Sequence, residues 1–217
     1  MSSLAALMLA DGRFPSGGHA HSGGLEEAAT SGRVHDLDSL AAFVGGRLAT
    51  GGRVAAGLAA VACAGRWPAD LLDAEADARM ASPALRAASR RQGRQLLRSA
   101  AHAWPLPPAT LESSHHAVAV GVVAAAAGLG PVDAARWAAY DAVMTPATAG
   151  VRLLGIDPFA VSAMVAGLAA AIDDVAAAAA VFAACDRPLD ELTCPAAPLL
   201  DLGAETHAAR EVRLFAS

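Results

Sequence analysis

Alanine-rich apolar stretches, without period-two alternation and without runs of β-branched residues, leave this chain little to build with except α-helices. Three dipeptides sharpen that reading, because a capping side chain followed by proline pre-sets the first turn of a helix: Ser82-Pro83, Thr145-Pro146 and Asp157-Pro158. The pattern predicts helices near 3–10, 24–32, 38–64, 70–81, 83–103, 115–128, 132–143, 146–154, 158–185 and 199–209, with Gly51-Gly52 kinking or splitting the third. Pro105, Pro107 and Pro108 mark a loop. The expected fold is all-α, a single-domain bundle of about ten helices over residues 1–217, since a chain of this length can bury one sizeable core. Pro188, Pro195 and Pro198 make residues 186–198 a linker that should lead away from the bundle to a C-terminal tail, so that 186–217 form a linker and partner-binding segment.

Composition excludes several function classes. Hydrophobic residues make up 55% and charged residues only 17%, with a mean hydropathy of +0.40, against about 25% charged in an ordinary soluble domain. That surplus points to surface covered by partners. A net charge of −5 argues against nucleic acid, and every one of the 16 basic residues is arginine. The longest apolar run, Ala117 to Val132, is too short to span a bilayer and contains Gly121, Gly128, Gly130 and Pro131. Leu4 to Ala10 has no basic flank or cleavage site, so the expected location is cytoplasmic. Cys63, Cys185 and Cys194 are odd in number and far apart, which fits small apolar fillers in a reducing compartment.

Against this helical background the segment Asp11-Gly-Arg-Phe-Pro-Ser-Gly-Gly-His-Ala-His-Ser-Gly-Gly-Leu-Glu26 stands out as polar and glycine-rich. It lacks the Gly-Lys-Ser/Thr ending of a phosphate-binding loop, follows no strand, and sits in a chain without lysine, so it is not a nucleotide site. Ser22 has no strand-turn-helix elbow around it, which removes a Ser/His hydrolase. His19 and His21 offer two imidazoles in a flexible loop, enough to hold a metal in passing and too few to keep it. His115 and His116 point about 100° apart on a helix start, so capping and solvent exposure are expected for them. Arg86, Arg90, Arg94 and Arg98 recur every four residues as a basic stripe, suited to an acidic partner unless Asp73, Glu75 and Asp77 neutralise it from the preceding helix.

The glycine-rich segment resembles the opening of the urease accessory protein UreF family, Asp-Ser-x-Leu-Pro-x-Gly-Gly-x-x-x-Ser-x-Gly-Leu-Glu, through Asp11, Pro15, Gly17, Gly18, Ser22, Gly24, Leu25 and Glu26. His207-Ala-Ala-Arg210-Glu-Val-Arg213-Leu214-Phe215-Ala-Ser217 resembles the family's closing His-Glu-x-x-x-x-Arg-Leu-Phe-x-Ser, with Ala208 where the family has Glu. Gln92 to Leu97, His115-His116 with Gly121 and Gly128, and Val151-Arg152-Leu153 agree more loosely, and Gly155-Ile156-Asp157 replaces the usual Leu-Gly-Gln. The resemblance implies a non-catalytic, dimeric helical protein that binds UreD (UreH in some systems), the GTPase UreG and the urease apoprotein. It further implies a role in modulating GTP hydrolysis by UreG while nickel enters urease, with no cofactor held stably and nickel in transit. It places partner binding on Arg152, His207, Arg210, Arg213, Leu214, Phe215 and Ser217, and a functional loop on Pro15, Gly17, Gly18, Ser22, Gly24 and Glu26. His19 and His21 are the candidate transient nickel ligands. The tail, rich in anchors and following a proline linker, is expected to be mobile in the isolated chain and to order on UreD. The competing reading is a helical-bundle metalloenzyme that uses histidine and carboxylate ligands.

Overall fold

Helix starts in this protein are written by short side chains, and the computed structural model, which describes residues 3–106 and 114–216, shows how. Ser82 Oγ accepts from the Leu85 N–H at 3.1 Å and Asp157 Oδ1 from the Phe159 N–H at 3.0 Å, each ahead of a proline in the first turn. Asp36 and Ser39 close a reciprocal capping box. The helices run α1 Ser3–Ala10, α2 Leu25–Thr30, α3 Leu37–Arg47, α4 Arg53–Ala64, α5 Ala69–Ala78 and α6 Pro83–Ala100, then α7 His116–Ala126, α8 Pro131–Leu154, α9 Pro158–Gly167, α10 Ala169–Ala184 and α11 Pro198–Ala208. Ser217, Pro107 and Pro108 lie outside the described residues.

Helix α4 is the axis of the bundle, buried along Ala56–Ala62 and packed against α7, α8 and α10. Alanine and glycine make this possible, since helices with small facing residues approach until backbones touch. A Cβ on Gly121 would collide with the Ala59 carbonyl, and one on Gly93 of α6 with the Ser114 carbonyl just before α7. A second layer of the core joins Leu96, Leu97 and Ala100 of α6 to Val120, Val123 and Ala124 of α7. Each fully buried leucine contributes about 1.5–3 kcal/mol.

One expected break is found, and at two other places the structure differs from the sequence pattern. Residues 38–64 do break near Gly51-Gly52, through a π-helical turn, Leu48–Gly52, that inserts between α3 and α4. Residues 158–185 divide at Leu168 into α9 and α10, bent by 44°. Thr145-Pro146 does not begin a helix: Pro146 is buried inside α8, which runs unbroken from Pro131 to Leu154. Proline there deprives the Ala142 carbonyl of its intrahelical N–H. Arg47 supplies the missing donor, its Nε reaching Ala142 O at 3.0 Å from 95 residues away.

The proline-rich segment also departs from expectation, because it is strapped to the bundle instead of leading off it. Leu189 and Leu192 are buried, Leu192 lying where a Cβ on Gly57 would otherwise sit, 2.7 Å away. Arg79 Nη2 clamps the carbonyls of Leu189 at 3.0 Å and Leu192 at 3.2 Å. Among the described residues no single helix is long and apolar enough to cross a membrane.

Candidate functional site

The glycine-rich loop is pinned along α6, where Gln95 Nε2 and Ser99 Oγ both donate to the Pro15 carbonyl, at 3.0 and 2.6 Å. Gly17 takes φ 81° beside the Gln95 side chain, and Gly24 takes φ 88° as the residue capping α2, conformations that favour glycine. Gly18 opens a single 3-10 turn, Gly18–Ala20. Ser22, with no exposed surface, accepts from the Glu26 N–H at 3.2 Å and so starts α2. The loop's side of α2 then buries two carboxylates, Glu26 and Glu27, a costly arrangement unless both are paired.

The partners come from the other end of the chain. Glu26 Oε1 accepts the Leu214 N–H at 2.8 Å, and Glu26 Oε2 takes the Phe215 N–H at 3.0 Å and His207 Nε2 at 2.8 Å. Arg210 Nε donates to Glu27 at 2.7 Å. Burial alone would raise the Glu26 carboxyl. The Leu214 N–H, the His207 ring and the Phe215 N–H outweigh that and hold it below the usual carboxylate range. Beyond the clasp, Ala216 N–H donates to Ala20 O at 2.7 Å and Arg91 Nη2 to Ala216 O at 3.3 Å. Phe215 is buried, with the Arg152 guanidinium 4.7 Å from its ring centroid while Arg152 Nη1 also holds His19 O at 2.9 Å.

Thus Arg152, His207, Arg210, Leu214 and Phe215, separated in sequence from Glu26 by more than a hundred residues, share one site with the loop. The expectation of a mobile tail is corrected here, since the tail lies docked on its own chain with every backbone polar contact just described. It leaves two large apolar side chains outward, Val212 at 81% and Leu214 at 75% exposed, next to the anchored Phe215. Arg213 is exposed and lines a shallow groove between the tail, α6 and α11. Glu27 and Arg91 belong to this site too, through Arg210 and the Ala216 carbonyl, and no motif in the sequence singles them out.

The candidate metal pair is divided by burial. His19 is exposed, whereas His21 is buried and its pKa is pushed down to about 4, by burial first and then by His116 and Arg91, with Asp141 opposing. Among the described residues no three His, Cys, Asp or Glu side chains converge as a metal site. His115 also departs from expectation: it has no exposed surface, its Nδ1 meeting Ser89 Oγ at 3.0 Å and its Nε2 meeting Asp77 Oδ1 at 2.9 Å. The His115 N–H binds Asp73 at 2.6 Å and the His116 N–H binds Ser89 Oγ at 3.1 Å, so this Ser-His-Asp chain ties α5, α6 and the start of α7 together. Asp73 and Asp77 also absorb Arg90, and Asp77 lies 3.8 Å from Arg86, which donates as well to the Met80 carbonyl at 2.6 Å, so half of the basic stripe is neutralised internally.

Comparison with known proteins places the chain at the level of the family. Residues 34–169 match the family model UreF. The chain is 46% identical over 220 residues to the urease accessory protein UreF of Mycobacterium sp. (strain JLS), 45% over 223 residues to that of Mycolicibacterium vanbaalenii, and 39% over 224 residues to that of Mycobacterium tuberculosis, each alignment covering both chains completely. With the paired termini, the all-α bundle and relatives of this likeness, the chain belongs to the UreF family of urease accessory proteins.

Proposed function

We propose that this protein is a non-catalytic adaptor of urease maturation, joining UreD (UreH) and the GTPase UreG to the urease apoprotein. In this role it modulates GTP hydrolysis by UreG and couples it to delivery of nickel, which passes as cargo and is not retained. It works in the cytoplasm as a homodimer. Family membership supports the setting, and one observation carries the adaptor role: the tail is held to the loop through its backbone and Phe215, while Val212 and Leu214 face outward. Backbone-anchored apolar side chains of that kind are what a partner surface engages. Phe159 near the start of α9, 84% exposed, and Val181 near the end of α10, 64% exposed, are further apolar side chains open to a second copy.

Co-purification with UreD, comparing the full chain with one lacking Arg210 to Ser217, tests the reading. Helical circular dichroism should persist in the truncated chain and UreD should no longer be retained. Undiminished retention would overturn the tail's role. For nickel, His19→Ala combined with His21→Ala should lower the metal content of urease at limiting nickel and recover in excess; a titration superimposable on wild type removes these two histidines from the route.

A further inference from the structure

A cavity of about 380 Å³, open to solvent, lies between the π-helical turn, α4, α6, α8 and the proline-rich strap. That volume falls within the range of about 300–1,000 Å³ typical of small-molecule sites. Val54, Leu58, Met80, Leu85 and Leu200 supply apolar wall, and two cations border it: Arg47, and Arg79, whose Nε is buried without a partner among the described residues. The surroundings of Arg47 are unusual. Arg47 spends only Nε on protein, capping the Ala142 carbonyl that Pro146 left without a donor, and its Nη1 and Nη2 have no partner among the described residues. No carboxylate lies within ion-pair distance of it among those residues. Gly23 admits the guanidinium, since a Cβ there would stand 3.3 Å from Cζ.

The remaining charged groups on the wall are engaged. Asp141 lies 3.8 Å from His116 Nδ1 and accepts the Thr145 hydroxyl at 3.3 Å, Asp201 accepts the Ser82 N–H at 3.3 Å, and Arg79 holds Glu75 and the strap carbonyls. A π-helical turn, a proline inside a helix and a half-buried guanidinium with one edge unpaired therefore meet at one cavity, and such breaches of local preference gather at functional positions. We propose that this cavity binds a small organic monocarboxylate, its carboxylate received on the open fork of Arg47 and its apolar body laid against Val54, Leu58, Met80, Leu85 and Leu200. A planar fork with one free edge matches one carboxylate. A phosphate dianion would put a second negative charge near Asp141, with Arg79 already paired to Glu75. The site is independent of the tail clasp.

Calorimetric titration of the full chain with isocaproate and with phenylacetate, each against its neutral amide, tests the assignment. At least one acid should bind with Kd below about 1 mM and at least about tenfold more tightly than its amide. Arg47→Met should abolish the preference for acid over amide, and Arg47→Lys should retain part of it. Should Arg47→Met fail to fold, Ala55→Phe, which fills the cavity and leaves Arg47 in place, should remove binding of the acid. Equal binding of acid and amide, absence of binding by both acids at about ten times that concentration, or a preference that survives Arg47→Met or Ala55→Phe, would overturn the proposal.

Discussion

Removing the Glu26 carboxylate should unlatch the tail without unfolding the bundle. Three hydrogen bonds end on this one group, from the Leu214 and Phe215 amides and the His207 ring. Hydrogen bonds to a charged acceptor contribute about 1.5–3 kcal/mol each, but these three share one carboxylate and the freed amides gain water, so the lower figure applies and Glu26→Ala should cost about 4 kcal/mol of docking. At about 1.4 kcal/mol per decade this raises the undocked population close to a thousandfold. Phe215 burial and the Arg152 contact remain, but neither replaces a backbone acceptor. Hydrogen exchange should show it directly: amides of Leu214, Phe215 and Ala216 accelerate by up to that factor, while core amides of α4 and the far-ultraviolet dichroism stay near wild type. Trypsin should cut after Arg210 and Arg213 faster by a similar ratio. Acid should do the same to the wild type, because the folded carboxyl titrates below its unfolded value; the clasp's contribution is complete above the unfolded value of about 4.5 and is lost as pH falls through the lower, folded one. Tail amides that exchange at the wild-type rate in Glu26→Ala would refute the clasp as the tail's anchor.

Other perturbations report on the frame. Buried His21, held near 4 against 6.5 when unfolded, makes the unfolded chain bind the extra proton, so stability in metal-free buffer should drop by about 2 kcal/mol between pH 8 and pH 5, and His21→Asn should flatten that slope in urea titrations. Arg47→Met should cost about 1–3 kcal/mol by orphaning the Ala142 carbonyl, and Pro146→Ala, which restores the helix N–H, should recover at least half of it; additive double-mutant energies would count against the cap. Gly93→Ala drives a methyl into the Ser114 carbonyl and should cost about 3 kcal/mol by denaturant midpoint, where an unchanged midpoint would mean α6 and the start of α7 are not held at backbone contact.

What the sequence made legible was local chemistry. Ser82-Pro83 and Asp157-Pro158 start helices because their caps act over three residues or fewer. Thr145-Pro146 carries the same signature and fails, since the donor that lets α8 continue through Pro146 is Arg47, a long-range fact that spacing does not encode. His115 read as exposed for the same reason: its partners Asp77 and Ser89 lie on other helices. Both halves of the candidate site were visible as motifs, yet that Glu26 meets Leu214 and Phe215 across almost two hundred residues was not, because a pairing at that separation leaves no period or spacing behind. The apolar surplus announced covered surface without saying that a proline-rich strap would cover some of it itself.

The π-helical turn has a bearing on how this chain can drift. Leu48–Gly52 stores one surplus residue in a rod that otherwise runs as helix from Leu37 to Ala64. Deleting a glycine there would relax the backbone to a regular helix, and because the turn absorbs its extra residue locally, the helices on either side would keep nearly their present facing. Leu40 and Val44 would stay in the core that they share with Val54 and Leu58, and the contact put at stake is the one beside the turn, from Arg47 to the Ala142 carbonyl. The rod can therefore lose one residue here with less harm than anywhere else along it, and single-residue shortening among viable descendants should fall within these five positions before it falls in α3 or α4.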